Sequence, residues 1–424
     1  MSMNYKKTTL KNGLRILTVP MEGTQTATVM VMVGVGSRYE TEKQAGLSHF
    51  VEHMLFKGTS KRPTAQSISE ELDGIGGEFN AFTAKDKTAY YAKVDGRHVD
   101  RAFDVIADIF LNSKLEQVEI DRERGPILQE LSMYEDDPRR SVGEEFEKLL
   151  YGEHQMGRNI VGYKEIIKSV SRKDFAAYMK KYYVANETVI CVSGKFVEKE
   201  IIKQIQKQFD SFEEGSEAKF KKVSDKQLFP GVHIKFKKTD QTHFILGSRA
   251  YQQNHKDRWA LSLLSVILGG NMSSRLFIEV RERRGLAYFV HTSVDTYQDC
   301  GYIGTQAGIE HKNLGQAIEV ILNEYKKIAT QKVSEKELQK AKDYIRGRSV
   351  MGFEASDDVA MFFIDQEMHN EKIMLPEEVF AKIDAVTAAD ILRVAKDIFQ
   401  KEKLNLAIVG PHKNIKKISD LMKF

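Results

Sequence analysis

The chain has 424 residues with 64 basic and 60 acidic side chains, and its formal net charge at pH 7 is +4. So small an excess of positive charge gives no support for nucleic-acid binding, and no apolar run approaches the roughly 18 residues that span a membrane. Two cysteines are too few for a disulfide framework, and the amino terminus lacks the apolar core of a secretory signal. These features predict a cytoplasmic protein; an organellar protein that has lost its presequence is the alternative. The length of the chain predicts two domains, with three as the alternative.

The first quarter of the chain alternates strand-like and helix-like segments. Asn12-Gly13 predicts a hairpin turn in which both residues take positive φ. The apolar run from Ala27 to Val35 predicts a central strand. Two further strands are predicted at 78–84 and 88–94, and helices at 44–57, 65–72 and 99–111. Such a mixture of hairpin strands and helices predicts an α+β fold rather than regular βαβ winding.

A longer helix is predicted next. The sequence Ser113-Lys-Leu-Glu116 matches a capping box, and the helix after it carries Glu123 and Glu130. Pro126 lies between these two glutamates, where it removes a helical hydrogen bond and crowds the preceding turn. We therefore expect a kink at Pro126 that bears on the placement of Glu123.

Two segments 216 residues apart share one pattern. Val170–Gly194 and Val386–Gly410 align without a gap, and each reads as a capped helix, a polar turn and a buried strand ending in glycine. This repeat predicts two similar domains related by internal duplication, each a mostly antiparallel sheet with helices packed on it. We place the domains at residues 1–215 and 228–424, joined by the charged stretch 213–227. The alternative is a pair of unrelated helix-strand units.

His49, Glu52 and His53 form an H-x-x-E-H pattern within an amphipathic, helix-length segment. Two imidazoles one helical turn apart can bind one zinc ion, and Glu52 can then reach a metal-bound water. The alternative is a surface helix that carries these side chains by chance. A catalytic zinc site needs a third protein ligand, and Glu130 is the candidate because it lies in a helix with apolar periodicity. Glu123, seven residues earlier, shares its helix face.

The sequence HFVEHMLFKGT, together with the downstream ERGPILQE, resembles the pitrilysin/insulinase family of zinc metallopeptidases, most closely its mitochondrial-processing-peptidase-like branch. Two further motifs, GGEFNAFTAKDKTAYY (76–91) and GGNMSSRLFIEVRERRGLAYFV (269–290), extend the resemblance over nearly the whole chain. The resemblance implies a zinc-dependent endopeptidase that hydrolyses peptides or short unfolded segments inside a closed chamber. It also implies one Zn²⁺ per chain, held by the N-terminal domain.

The resemblance assigns roles position by position. The implied zinc ligands are His49, His53 and Glu130, and Glu52 is the implied general base that activates the zinc-bound water. Glu123 matches an acidic residue that supports the metal site from outside the ligand set. The C-terminal domain is expected to complete the substrate site with Arg281 and Tyr288, which match a substrate-contacting pair. The implied peptide-binding strand comprises Phe79, Asn80, Ala81 and Phe82.

In the family the chamber closes between four such domains, so a two-domain chain implies a dimer. The C-terminal domain of one copy would then complete the site of the other. We expect a homodimer because this chain keeps both the metal motif and the Arg281–Tyr288 pair. The alternatives are a non-catalytic structural subunit and a chain active only with a different partner chain. Peptides are the expected substrates, without nucleic-acid or membrane partners.

Overall fold

A computed structural model describes residues 3–224, 227–369 and 372–422 of the chain. These residues pack into two compact units, each assembled from three segments of the sequence. The segments of unit 1 are Met1–Leu131, Asn159–Lys221 and Arg348–Glu377, and those of unit 2 are Ser132–Arg158, Lys222–Gly347 and Glu378–Phe424. The two packing units are therefore not the two continuous halves 1–215 and 228–424 of the sequence. The border of the domains between residues 215 and 228 stays a prediction.

Unit 1 contains a six-stranded sheet. Its strands are β1 Lys6–Thr9, β2 Arg15–Pro20, β3 Thr26–Val33, β4 Glu78–Thr83, β5 Thr88–Asp95 and β6 Thr188–Gly194. They lie in the order β1-β2-β6-β3-β5-β4, and every neighbouring pair is antiparallel except β2 and β6. The apolar β3 is central, as predicted, and β4 forms one edge.

Unit 2 contains a five-stranded sheet with the same arrangement. Its strands are β7 Gly231–Phe236, β8 Thr242–Ala250, β9 Ala287–Thr296, β10 Gly301–Ile309 and β11 Leu404–Gly410. The order β7-β11-β8-β10-β9 repeats β2-β6-β3-β5-β4, including the single parallel pair. The predicted α+β fold with two similar, duplicated sheets is confirmed.

Helices cover these sheets. They are α1 Leu47–Leu55, α2 Ala65–Asp73, α3 Val99–Asn112, α4 Gln117–Asp136, α5 Pro138–Tyr151, α6 Lys164–Ser169, α7 Arg172–Tyr182, α8 Glu198–Phe209, α9 Arg258–Gly269, α10 Leu314–Thr330, α11 Glu335–Gly352, α12 Ser356–Met368, α13 Pro376–Asp384, α14 Ala388–Ile398 and α15 Ile415–Ser419. A π-helical turn occupies Phe277–Glu282. Helices α7 and α14 are offset by the same 216 residues as strands β6 and β11, so the repeat found in the sequence is structural. Among the described residues, no helix is long and apolar enough to cross a membrane.

Helices α5 and α12 explain why the units exchange segments. Helix α12 lies in the C-terminal half of the sequence but packs on the sheet of unit 1, where Phe363 joins a core with Met30 and Cys191. Helix α5 lies in the N-terminal half but packs on the sheet of unit 2, where Phe146 joins a core with Ile245. Each helix buries its apolar face on the sheet that its own half of the chain does not form.

Two predicted helix starts differ from the structure. Helix α1 begins at Leu47 rather than residue 44, because Gly46 takes the left-handed conformation with φ +97°. Helix α4 begins at Gln117, so the predicted capping box at Ser113 is wrong. Leu115 takes φ +49°, and the Ser113 hydroxyl donates instead to the carbonyl of Met54 at 3.2 Å. In the predicted hairpin turn, Gly13 alone takes positive φ.

The start of α1 is tightly fixed. A Cβ atom on Gly46 would lie 2.3 Å from the carbonyl oxygen of Val161, a distance that real structures do not show. The buried carboxylate of Glu40 accepts hydrogen bonds from the backbone N–H groups of Gly46 at 2.8 Å and Ser48 at 2.6 Å. A carboxylate at a helix N-terminus satisfies unpaired donors and complements the helix dipole. The first turn of α1 is thereby held in one register.

Gly46→Ala is expected to destabilise unit 1 strongly. A left-handed alanine costs about 1–2 kcal/mol, and its Cβ would also collide with the backbone of Val161. Gly76→Ala is the matched control, because Gly76 has φ +65° but no heavy atom within 4 Å of its would-be Cβ. Urea unfolding followed by circular dichroism measures both variants. Equal losses of stability would contradict the steric account.

Candidate metal centre

Helices α1 and α4 bring together three of the residues predicted to bind metal. Nε2 of His49 lies 3.5 Å from Oε1 of Glu130, and Nε2 of His53 lies 3.5 Å from Oε2 of Glu130. One atom from each of the three side chains lies within 4.8 Å of the other two. Ligands at about 2.1 Å from a tetrahedral zinc ion are about 3.4 Å apart. The three side chains therefore fit the spacing of a zinc site without rearrangement of the helices.

The sequence of α1 orients the histidines. Its apolar side chains are buried in unit 1: Leu47, Phe50, Val51, Met54 and Leu55. The ring of Phe50 packs edge-on against Phe175 of α7, with ring centroids 4.9 Å apart. Because this face is fixed, His49 and His53 project together on another side of the helix, with ring centroids 4.6 Å apart.

Glu123 lies next to this cluster. Its Oε1 is 2.9 Å from Nδ1 of His53, and its Oε2 is 2.5 Å from the ammonium of Lys57. Helix α4 is continuous through Pro126, so the proline does not remove Glu123 from the site. A carboxylate on Nδ1 selects the tautomer in which Nδ1 carries the hydrogen, which leaves the lone pair of Nε2 available to a metal ion.

The electrostatics of the cluster favour a cation. Burial lowers the pKa of His53, but hydrogen bonds with Glu123 and Glu130 and the charge of Glu52 outweigh this effect and raise the pKa to about 9. Burial raises the pKa of Glu123, but its contacts with His53 and Lys57 bring that pKa below its usual value. The carboxylates that favour a proton on His53 also favour a metal ion at the same position.

The two histidines differ in the hydrogen bonding of their Nδ1 atoms. Nδ1 of His49 is buried and has no hydrogen-bond partner among the described residues, whereas Nδ1 of His53 is paired with Glu123. His53 is therefore the more firmly oriented of the two imidazoles.

Glu52 lies on the same helix and is held by a neighbour that the sequence did not reveal. Its Oε2 accepts a hydrogen bond of 2.6 Å from the hydroxyl of Thr83, the last residue of β4. This contact joins the H-x-x-E-H helix to the edge of the sheet.

Three residues around the centre were missed from the sequence. Lys57 follows His53 by four residues, and that spacing is a usable signal because it places a cation beside the site. Thr83 reaches α1 from strand β4 through tertiary packing, whereas Glu40 lies only six residues before Gly46 and reaches the start of α1 across a short loop. Local sequence pattern could not have identified Thr83.

The predicted peptide-binding residues lie on the edge strand β4. This strand pairs with β5, and no described strand pairs with its other edge. The ring centroid of Phe79 lies 6.3 Å from that of Phe56, the residue that follows α1. Phe82 packs on the opposite face of the sheet, in the core that contains Met30. The strand thus presents one face to α1 and an unpaired edge.

Arg281 and Tyr288 are neighbours within unit 2. The guanidinium of Arg281 donates to the carbonyl oxygen of Tyr288 at 2.9 Å and lies 4.8 Å from its ring centroid. Tyr288 is 80% exposed in the chain, so it is not a core tyrosine. The contribution of this pair to the substrate site stays a prediction.

Comparison with known proteins places the chain in a family. Residues 15–164 match the insulinase (peptidase family M16) domain, and residues 169–345 match the peptidase M16 inactive domain. Two imidazoles and a carboxylate are a ligand set of catalytic zinc sites, and the matched relatives are named zinc proteases. The chain belongs to the insulinase, or M16, peptidase family and is a zinc metallopeptidase.

Related sequences support this family assignment, and a solved structure shares the fold. The chain is 32% identical over 420 residues to an uncharacterized zinc protease of Streptomyces coelicolor, covering 96% of this chain and 90% of that one. It is 33% identical over 410 residues to an uncharacterized zinc protease of Bacillus subtilis, covering 97% and 99%. A protease crystal structure from Helicobacter pylori shares the fold, with a TM-score of 0.90 at 24% identity over 96% of this chain and all of that one.

Glu123→Gln is expected to weaken zinc binding about 10- to 100-fold while the fold is retained, because the amide holds the His53 imidazole less strongly than the carboxylate. Competition with a chromophoric chelator measures the affinity. Glu135→Gln, at an exposed carboxylate of the same helix, is the control and should bind zinc as the unmodified chain does. Unchanged affinity in Glu123→Gln would show that Glu123 does not support the site.

Proposed function

We propose that the chain is an endopeptidase that cleaves peptides or short unfolded segments, with Glu52 as its general base. The observation that carries the proposal is the position of Glu52 on the same helix as His49 and His53, which share Glu130 as a neighbour. In this assignment His49, His53 and Glu130 hold one Zn²⁺ per chain. A zinc ion bound there would lower the pKa of a coordinated water to about 7 and polarise a carbonyl.

The chain's own residues supply the proton transfers. Glu52 accepts the proton of the attacking water and delivers it to the leaving amine, as a general base and then a general acid. Its Oε2 is already held by Thr83, which limits the directions that the carboxylate can take. Tyr288 is assigned as the donor to the developing oxyanion and Arg281 as the residue that holds a substrate carbonyl.

Peptide binding is assigned to the open edge of β4. A substrate that adds as an extended strand along Phe79, Asn80, Ala81 and Phe82 gains backbone hydrogen bonds that do not depend on its sequence. Sequence-tolerant affinity suits an enzyme whose selectivity depends on the size and unfolded state of the substrate. We assign that selection to a closed chamber formed by a homodimer, in which the C-terminal domain of one copy completes the site of the other.

Glu52→Gln is expected to lower the turnover of a quenched fluorogenic peptide by about 10²- to 10⁴-fold, because the amide cannot accept the proton. Zinc content and thermal unfolding should remain those of the unmodified chain. Glu70→Gln, at an exposed glutamate of α2, serves as the control and should keep full activity. Turnover close to that of the unmodified chain in Glu52→Gln would refute the proposed mechanism.

Mixing two inactive variants tests the shared site. Glu52→Gln and Tyr288→Phe chains, allowed to exchange subunits, should recover about a quarter of full activity, since half of the dimers are mixed and each mixed dimer has one intact site. Light scattering verifies the dimer, and exchange is followed with differently labelled chains. Exchange without recovered activity would show that each chain completes its own site.

A further inference from the structure

The hydrogen bond between Thr83 and Glu52 connects the metal cluster on α1 with β4, the proposed peptide-binding strand. Glu52 lies on α1 beside the metal cluster, and Thr83 ends β4, the strand with an unpaired edge. The two oxygen atoms are 2.6 Å apart, within the usual range for a hydroxyl that donates to a carboxylate oxygen.

The contact follows from the pleat of the strand. Side chains two residues apart share one face of a strand, so Phe79, Ala81 and Thr83 point to the same side. Phe79 contacts Phe56 at the end of α1, and Thr83 contacts Glu52 in the middle of the helix. The face of β4 that meets α1 therefore carries one aromatic contact and one polar contact, and the polar contact falls on the proposed base.

A glutamate side chain has three rotatable bonds and loses much of its orientation when nothing holds it. A hydrogen bond from a hydroxyl to a carboxylate contributes enough free energy to favour one orientation of the carboxylate over the others. In this chain the donor is on an edge strand, which has a neighbour on one side and gains a second when a peptide pairs with it. Pairing restrains the backbone of β4 and with it the hydroxyl of Thr83.

We propose that Thr83 is a positioning residue that holds the carboxylate of Glu52 and makes the orientation of the base depend on peptide pairing along β4. The inference rests on the proposed role of Glu52 as general base. It predicts that removal of the hydroxyl acts on turnover more than on substrate binding or zinc binding. It also predicts that substrates long enough to pair with β4 benefit from the hydroxyl more than short ones.

The test compares Thr83→Val, which keeps the shape but lacks the hydroxyl, with Thr83→Ser, which keeps the hydroxyl. We expect Thr83→Val to lower kcat about 10- to 100-fold for a ten-residue peptide, with KM and zinc affinity changed less than about threefold. Thr83→Ser should keep at least about a third of the kcat. For a blocked tetrapeptide the loss in Thr83→Val should be smaller, because pairing contributes less.

Thr88→Val is the matched control. Thr88 pairs with Thr83 across the hairpin, but its hydroxyl donates to the carbonyl of Val35. This variant should lose thermal stability and keep its kcat. The proposal would be overturned by an unchanged kcat in Thr83→Val, by Thr83→Ser as impaired as Thr83→Val, by an equal loss in Thr88→Val, or by equal losses with long and short substrates.

A crystal structure of Thr83→Val separates this proposal from the proposed function. We expect the Glu52 side chain to leave its present orientation or to occupy several, whether or not the unmodified chain cleaves peptides. An unmoved Glu52 carboxylate in that structure would overturn the role of Thr83. Full peptide cleavage by Glu52→Gln would overturn the proposed base instead.

Discussion

The metal cluster depends on where α1 begins. His49 and His53 approach the two oxygens of Glu130 only in one rotation of this helix, and that rotation is set at its first turn. Gly46 allows the chain to turn beside Val161, and the buried carboxylate of Glu40 then binds the first N–H groups. A shift of one residue would turn the histidines about 100° around the helix axis and separate them from Glu130. A backbone constraint at the start of α1 therefore governs how His49, His53 and Glu130 are placed relative to one another.

A second set of contacts orients the side chains of His53 and Glu52. Glu123 lies between His53 and Lys57, so one carboxylate orients an imidazole while a cation balances its charge. Thr83 performs a comparable task for Glu52. Glu52 and His53 are thus each held by a residue from another segment, whereas Nδ1 of His49 is unpaired among the described residues.

Much of the fold and the core of the site could be predicted because they are local patterns. The spacing of His49, Glu52 and His53 is a helical property, and Glu130 could be chosen from the apolar periodicity of its helix. The repeat predicted the duplication, since a capped helix followed by a buried strand is a complete local unit. Pro126 was expected to disturb Glu123, but α4 runs through it and Glu123 reaches His53.

The features that the sequence could not predict depend on tertiary packing. An amphipathic helix shows that it packs on a sheet but does not show on which one, and so the exchange of α5 and α12 between the units was not expected. The start of α4 was misplaced because Leu115 takes an unusual left-handed conformation and Ser113 bonds to Met54. Thr83 carries no signal in its own neighbourhood, since its partner Glu52 lies in a different element.

We propose that His49, His53 and Glu130 form one zinc site in each chain. A crystal structure of the zinc-loaded protein, with anomalous data at the zinc edge, tests it most directly. We expect one ion per chain, bound by Nε2 of both histidines at about 2.0–2.1 Å and by a Glu130 oxygen at about 2.0–2.2 Å, with Glu123 still on Nδ1 of His53. A zinc ion bound by Glu123 in place of Glu130, or held elsewhere in the chain, would contradict it.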